Sequence, residues 1–153
     1  MGKSRIILAV LLGTLVSAPA AVTAQTIQPA ASRGGQPAVA VSLVIEQFLR
    51  ATNANELETM ARLFGTRDGA VFDRDPRAAN EQRMYALASL LRHEDYRIEG
   101  NEIVPGRSDE ATRVKVRMTI NGQSFAVPFT LVQSKRGPWL IETIGIEEIT
   151  SRR

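Results

Sequence analysis

The residue pair Asn121-Gly122 constrains the fold of this chain more than any other feature, because it separates two runs of alternating polarity. Before the pair, apolar side chains occupy every second position, and a similar alternation resumes after it. Asn-Gly readily takes the two positive φ angles that a two-residue hairpin turn requires. The sequence therefore predicts a β-hairpin that turns at Asn121-Gly122.

This turn also fixes the pairing of the two strands. A two-residue loop places Ile120 opposite Gln123, and every pair below follows from that one. Three apolar pairs result: Met118 with Phe125, Val116 with Val127, and Val114 with Phe129. Pro128 lies inside the second strand and has no backbone N–H. We therefore expect it at a sheet edge, at a bulge, or at a position without a ladder hydrogen bond.

The chain before residue 93 has a helical period instead. Apolar residues recur at intervals of three and four in three segments. Their inward faces are Val41, Val44, Ile45, Phe48 and Leu49 in the first, Leu57, Met60, Ala61 and Phe64 in the second, and Met84, Leu87, Ala88 and Leu91 in the third. The period begins at Val39, so the sequence predicts three helices between there and residue 93.

Turn and capping residues separate the predicted helices. Asn55 with Glu58 predicts a capping box at the second helix, and Gly65 predicts its end. Residues 66–74 predict a turn or a short ribbon around residues 71–72. Asp75-Pro76 predicts the start of the third helix, with Asp75 as its cap.

Two further strands complete the prediction. One includes Tyr96 and Ile98, and the other runs from Trp139 to Ile144 after a turn at residues 135–137. Helices first and an antiparallel meander last is an α+β arrangement, with about three helices and four or more strands. The segment of residues 39–150 has the length of a single domain.

The N-terminus predicts export. Lys3 and Arg5 form a basic head, residues 6–16 form a short apolar run, and Val22 and Ala24 suit cleavage after Ala24. The apolar run is roughly half the ~20 residues that a membrane-spanning helix needs, so no anchor is expected after cleavage. We expect a signal peptide at residues 1–24, a flexible leader at residues 25–38 and a tail at residues 151–153. The mature protein would be periplasmic or secreted.

Composition narrows the classes of partner and cofactor. The chain has no cysteine, so no disulfide can stabilise it. Loss of residues 1–24 would leave 17 basic and 16 acidic residues, which argues against a nucleic-acid partner. One histidine and no cysteine argue against a zinc site, and no glycine-rich phosphate loop is present, so neither a metal nor a cofactor is expected.

Two segments resemble a known superfamily. Residues 45–64, IEQFLRATNANELETMARLF, and residues 137–144, GPWLIETI, are similar to the opening helices and the final strand of nuclear transport factor 2-like domains, also called ketosteroid-isomerase-like or SnoaL-like. The resemblance covers residues 39–150. It implies N-terminal helices packed on a curved antiparallel sheet, a cone-shaped domain with a pocket, and in many members a homodimer. Members usually place a strand pair between the second and third helices, where this chain has only residues 66–74.

Four residues have acid–base potential. His93, Asp95 and Tyr96 lie close together in the chain, and Tyr85 lies on the third predicted helix. A histidine or tyrosine could polarise a carbonyl while a carboxylate moves a proton. The simpler interpretation is that such a cluster ends a helix, where a histidine also interacts well with the helix dipole.

Five aromatic residues are candidates for a pocket lining. They are Phe48, Phe64, Tyr85, Phe129 and Trp139. In a chain with few aromatic residues, such side chains more often fill the core. Arg113, Lys115 and Arg117 form a basic stripe that could hold an anion, although it is more typical of the solvated face of a sheet.

Two functions stay open at this point. The first is a non-enzymatic module of the cell envelope that binds a small apolar ligand or an envelope protein. The alternative is a ketosteroid-isomerase-like isomerase or dehydratase that acts on a small apolar substrate. They differ in one geometric respect: an enzyme requires at least two of the four acid–base side chains in one closed cavity. A purely structural homodimer is a third hypothesis.

Overall fold

A computed structural model of the chain describes residues 35–107 and 110–151. The predicted signal peptide, its cleavage site and the leader up to residue 34 lie outside the described residues, so export stays a prediction. The first helix begins at Gly35, four residues before the predicted start at Val39. The helix therefore includes residues 35–38, which the sequence prediction placed in the leader.

Five helices occur in the described part of the chain, of which three are long enough to give an apolar period in the sequence. Their bounds are α1 Gly35–Ala54, α2 Leu57–Leu63, α3 Val71–Arg74, α4 Arg77–Leu91 and α5 Glu147–Ser151. The two shortest have only four and five residues, which is too short for a helical repeat to be visible.

Six strands form two antiparallel sheets in the same residues. A two-stranded ribbon consists of β1 Gly65–Thr66 and β2 Gly69–Ala70. The larger sheet consists of β3 Asp95–Ile103, β4 Ala111–Ile120, β5 Gln123–Gln133 and β6 Trp139–Ile144, in the order β3-β4-β5-β6. The predicted α+β class is confirmed, and a strand pair is present between α2 and α4 after all.

The hairpin prediction is confirmed pair by pair. Ile120 faces Gln123, and the three apolar pairs below the turn are those that the loop length dictates. Asn121 and Gly122 have φ angles of 51° and 73°, as this turn requires. The inward apolar residues of β4 are buried, and the alternating basic residues are exposed.

Pro128 occupies the third of its three expected positions. β5 lies between β4 and β6, so the edge alternative is wrong. The Pro128 carbonyl accepts a hydrogen bond from the Gly145 N–H at 2.8 Å. The nitrogen and the carbonyl of a strand residue point to the same side of the strand. The Pro128 nitrogen, which has no hydrogen to donate, therefore faces the chain beyond Ile144, where β6 has already ended.

The two capping predictions are wrong. Asn55 has a left-handed φ of 56°, and Glu56 precedes α2 without a side-chain capping bond. Asn55 thus reverses the chain after α1, which asparagine does at lower cost than most residues. Asp75 ends α3, where its N–H bonds to the Val71 carbonyl at 2.9 Å, and its carboxylate pairs with Arg83 at 2.8 Å.

The ribbon lies earlier in the chain than predicted. Residues 71–72 are helical, and Gly65 is a ribbon residue instead of the stop of α2, which ends at Leu63. Gly65 pairs with Ala70, and a Cβ on residue 65 would collide with the backbone of Gly69. Close approach of two backbones, not helix termination, therefore requires the glycine at this position.

The core lies between the helices and one face of the larger sheet. α1, α2 and α4 contribute its helical side, and alternate residues of β4 and β5 contribute its sheet side. Two strand irregularities, between Ile98 and Gly100 and between Thr130 and Leu131, interrupt the pairing at the outer strands. Bulges of this kind bend a strand and increase its twist.

In the described part of the chain, no helix has the length and apolarity that crossing a membrane demands.

Candidate functional site

The space between α1 and the sheet is filled with side chains. Phe48 and Phe129 are fully buried and pack edge to face, with ring centroids 6.4 Å apart and an interplanar angle of 75°. Met60, Met84 and Met118 are also fully buried around them. None of three grooves, two of which are described below, is lined by any of these five side chains. These grooves, which lie outside this group of buried side chains, are the candidate ligand sites.

The five aromatic candidates do not meet at one place. Phe64 lies 6.4 Å from Phe48, so these two and Phe129 form one core cluster. Trp139 is half-buried at the start of β6 and lines a surface groove. Tyr85 is 60% exposed on α4. Only Trp139 of the five lines one of these grooves.

Of the four acid–base candidates, His93 and Tyr96 are in contact, but the four do not meet in one groove. His93 and Tyr96 pack ring edge against ring face, with centroids 5.4 Å apart. The two nitrogens of the His93 ring lie within hydrogen-bond distance of the Leu91 carbonyl, at 2.9 Å, and of the Asn53 amide, at 3.3 Å. Asp95 and Tyr85 are exposed. None of the four lines any of these three grooves.

The groove beside Trp139 has a volume of about 370 Å³. It lies where α1 and α2 meet the ribbon and the turn between β5 and β6, and we call it the Trp139 groove. Its apolar lining consists of Val44, Leu63, Ala70, Pro138, Trp139 and Leu140. Its polar lining consists of Gln47, Arg62, Asp73, Ser134 and Arg136. Gly69 also lines the groove.

Ser134 is the most unusual residue of the Trp139 groove. It is 5% exposed, and its hydroxyl has no hydrogen-bond partner among the described residues. Its backbone is satisfied, since its N–H bonds to the Pro138 carbonyl and its carbonyl accepts from the Gly137 N–H, both at 2.9 Å. A buried hydroxyl without a partner costs about 1–3 kcal/mol, so a ligand group that bonds to it would remove a cost.

The charged side chains of the groove differ in how well they are paired. Arg62 bonds to Glu58 at 2.8 Å, and its guanidinium stacks on the Phe72 ring at 3.7 Å. Arg136 and Asp73 are exposed, and neither forms an ion pair or a hydrogen bond through its side chain within residues 35–107 and 110–151. One guanidinium and one carboxylate thus remain available to a ligand.

A second groove, of about 390 Å³, lies between α2, α3 and α4. Its floor includes Phe72, and Asn80 lines it with 4% exposure and an unpartnered Oδ1. The Asn80 amide nitrogen already bonds to the carbonyls of Val71 and Asp75, at 2.9 and 3.2 Å. This side chain therefore holds the junction between α3 and α4.

The charges of the second groove are already paired with one another. Arg77 bonds to Glu81 at 2.7 Å, and this hydrogen bond raises the pKa of Arg77 above its ordinary value. Glu58 bonds to Arg62. In contrast to the Trp139 groove, no charged side chain of this lining is left without a partner in the described chain.

The basic stripe lies on the outer face of the sheet, and two of its three members are neutralised there. Arg117 bonds to Glu99 at 2.6 Å, which lowers the pKa of Glu99 below its ordinary value of 4.5. Lys115 lies 3.7 Å from Glu102. The stripe is thus a solvated face whose positive charges are largely paired.

No group of three or more side chains that could hold a metal ion occurs in the described part of the chain. The homodimer that the resemblance implies stays a prediction.

Sequence reasoning identified Trp139 but missed its neighbours Ser134 and Arg136. The β5–β6 turn, which carries both residues, was predicted from Lys135, Arg136 and Gly137. Nothing in the sequence indicates that a serine in such a turn is buried. That burial depends on the ribbon and on α2, which reach the turn only in the folded chain.

Comparison with known proteins gives matches in structure only. No family model matches the sequence, and a search of curated proteins also gives no match. Nine chains of solved structures match. One, described as Rd1NTF2_05 with long sheet, is 14% identical, with a TM-score of 0.43, and the match covers 69% of this chain and 93% of that one.

Two further solved structures have a similar degree of likeness. A protein from Catenulispora acidiphila is 20% identical, with a TM-score of 0.45 and coverage of 75% of this chain and 94% of that one. A phospholipid-binding protein from Ralstonia solanacearum, solved with a phospholipid, is 11% identical, with a TM-score of 0.37 and coverage of 74% and 83%. The described part of this chain has helices packed on an antiparallel sheet.

Proposed function

We propose that this protein is a non-enzymatic binding module of the cell envelope, and that it holds a small apolar molecule in the Trp139 groove. One observation carries the proposal: Ser134 is 95% buried in a mainly apolar groove and its hydroxyl has no partner among the described residues. Binding sites for small molecules are mostly apolar with a few placed polar groups, and their volumes begin at about 300 Å³.

The filled interior supports a surface groove as the site. A ligand between α1 and the sheet would have to displace Phe48 or Phe129, both of which are fully buried. Side chains packed as densely as these lose dispersion contacts when they are moved apart. The Trp139 groove offers its volume without such a cost.

The absence of the acid–base candidates from the linings of the three grooves favours binding over catalysis. An isomerase or dehydratase needs a base and a polarising group within reach of one substrate. Asp95 and Tyr85 are exposed, and the His93 ring is occupied by Leu91 and Asn53. The enzymatic alternative therefore has no specific geometric support.

Intrinsic fluorescence provides a direct test, because Trp139 is the single tryptophan of the chain. We suggest titration of the protein, without residues 1–24, with three ten-carbon amphiphiles: decanol, decanoate and decyltrimethylammonium, each below its micelle concentration. A saturable blue shift of the emission with at least one of them is expected, because the ligand would displace water from the indole.

The matched control moves the reporter away from the groove. A Trp139→Phe, Tyr85→Trp double variant places the indole on the exposed face of α4, outside the groove lining. Its emission should not respond. The proposal fails if none of the three amphiphiles changes the Trp139 emission, or if the control responds equally. Native mass spectrometry of the mature protein from its own envelope would then identify the bound molecule, or show a protein partner instead.

A further inference from the structure

We infer that the ligand of the Trp139 groove is a single-chain anionic amphiphile, whose head group binds at the β5–β6 turn through Ser134 and Arg136. This inference rests on the proposed function, because it assigns a chemical class to the molecule in that same groove. Two kinds of head group share the required chemistry, a carboxylate and a phosphate monoester.

The two donors of the turn lie two residues apart. The Ser134 hydroxyl is buried and unpartnered, and the Arg136 side chain has no partner among the described residues. A hydroxyl and a guanidinium both donate hydrogen bonds, and an oxyanion accepts from both. A neutral alcohol head group can accept from these donors but has no charge to pair with the guanidinium, and a quaternary ammonium can accept from neither donor.

The charged side chains of the groove place the available cation at the turn. The lining has two guanidiniums, of Arg62 and Arg136, and one carboxylate, of Asp73. Arg62 stacks on Phe72, the residue next to Asp73 in the chain, so a cation already lies on the side of the groove that has the carboxylate. Arg136, on the β5–β6 turn, is the guanidinium of this lining without a partner in the described chain. The anionic head group is therefore assigned to the turn.

The size of the groove limits the apolar part of the ligand. A volume of about 370 Å³ lies near the lower end of the range for small-molecule sites, about 300–1,000 Å³. Leu63, Pro138 and Trp139 line the space next to the turn. Such a lining accommodates one alkyl chain, and a second chain would extend into solvent.

Two substitutions with opposite expected effects on the affinity for decanoate test the inference. Arg136→Gln removes the cation and should weaken decanoate binding about three- to tenfold, the range expected for a partly exposed charge-assisted hydrogen bond. Asp73→Asn removes the like charge and should strengthen decanoate binding. Both positions are exposed and lack side-chain partners in the described chain, so neither variant is expected to unfold the protein. Arg92→Gln, at an exposed arginine outside the groove lining, is the control.

The three ten-carbon probes separate the inference from the proposed function. Decanoate should bind more tightly than decanol, and decyltrimethylammonium should bind most weakly. Decyl phosphate in place of decanoate distinguishes a phosphate from a carboxylate preference. If all probes bind equally, or if Arg136→Gln and Asp73→Asn leave the affinity for decanoate unchanged, the assignment of an anionic ligand is wrong while the binding function stands. If no probe binds, both are wrong.

Discussion

Gly145 lies directly against the ring of Pro128, and a Cβ on residue 145 would come within 2.5 Å of the proline Cγ. The same two residues share a hydrogen bond, from the Gly145 N–H to the Pro128 carbonyl, at 2.8 Å. A proline in a central strand and a glycine at the end of its neighbour are thus a matched pair. The contact fixes where β6 stops and the chain turns into α5.

The first prediction follows from this contact. Gly145→Ala should lower the free energy of unfolding by about 1–3 kcal/mol, because the added methyl group overpacks the site. Urea denaturation of the variant measures the loss. Gly145→Ala combined with Pro128→Ala should recover most of it, since the smaller side chain leaves room, and Pro128→Ala alone completes the double-mutant cycle. Additive effects in that cycle would refute the contact.

The second prediction concerns the Asn53 side chain, which binds the backbone of His93 on both sides. The His93 N–H bonds to Asn53 Oδ1 at 3.1 Å, and Asn53 Nδ2 bonds to the His93 carbonyl at 3.0 Å. Asn53→Ala should cost about 1 kcal/mol of stability, because these bonds are exposed to water. Asn53→Asp retains the acceptor for the His93 N–H and should lose less. Equal losses in the two variants would show that the acceptor contributes nothing.

The third prediction is that one substitution, Ser134→Ala, weakens ligand binding without lowering the stability of the ligand-free protein. Ser134→Ala removes a buried hydroxyl without a partner, so the ligand-free protein should be as stable as the wild type or more stable, by up to about 1 kcal/mol. The same variant should bind decanoate more weakly. Thermal unfolding and Trp139 fluorescence measure the two effects. A loss of stability without ligand would mean that the hydroxyl already has a partner, and the role proposed for it would be wrong.

The fourth prediction concerns acid stability. The Arg117 guanidinium holds the pKa of Glu99 below its ordinary value of 4.5, first by its hydrogen bond and then by its charge. A carboxyl with a lowered pKa in the folded state stabilises the protein above its unfolded-state pKa. That contribution is lost as the pH falls through the folded-state value.

Glu99→Gln provides the comparison. The wild type should exceed this variant in stability at neutral pH, and the difference should shrink as the pH falls below about 4.5. High salt should reduce the difference as well, because the pair is exposed and therefore screened. A difference that stays constant from pH 7 to pH 3 would rule out the ionic contribution.

The fold was predictable where local rules and burial agree. The Asn121-Gly122 turn fixes the β4–β5 register because both positive φ angles are needed at once, and a shift of one residue would expose the apolar face. The helical faces were predictable for the same reason. The caps failed because two short segments without a visible period, the turn at Asn55 and the four-residue helix α3, displaced the starts of α2 and α4.

The site was predictable only in part. Trp139 was identified only as one of five aromatic candidates, because aromatic side chains offer a large apolar contact area. The partners of Trp139 come from α1, α2, the ribbon and the β5–β6 turn, which are distant in the chain. The burial of Ser134 is a property of that assembly. Aromatic candidates such as Phe48 and Phe129 turned out to pack with each other in the core.

The central claim is that a ligand occupies the Trp139 groove and leaves the interior unchanged. Two-dimensional NMR of the isotope-labelled mature protein, titrated with decanoate, tests it most directly. We predict saturable shifts of the Trp139 indole N–H and of the Ser134 and Leu63 amides, with the Val116 and Met84 amides unchanged. Shifts centred on the fully buried Met84, Val116 and Phe129 would place the ligand in the interior and contradict the account.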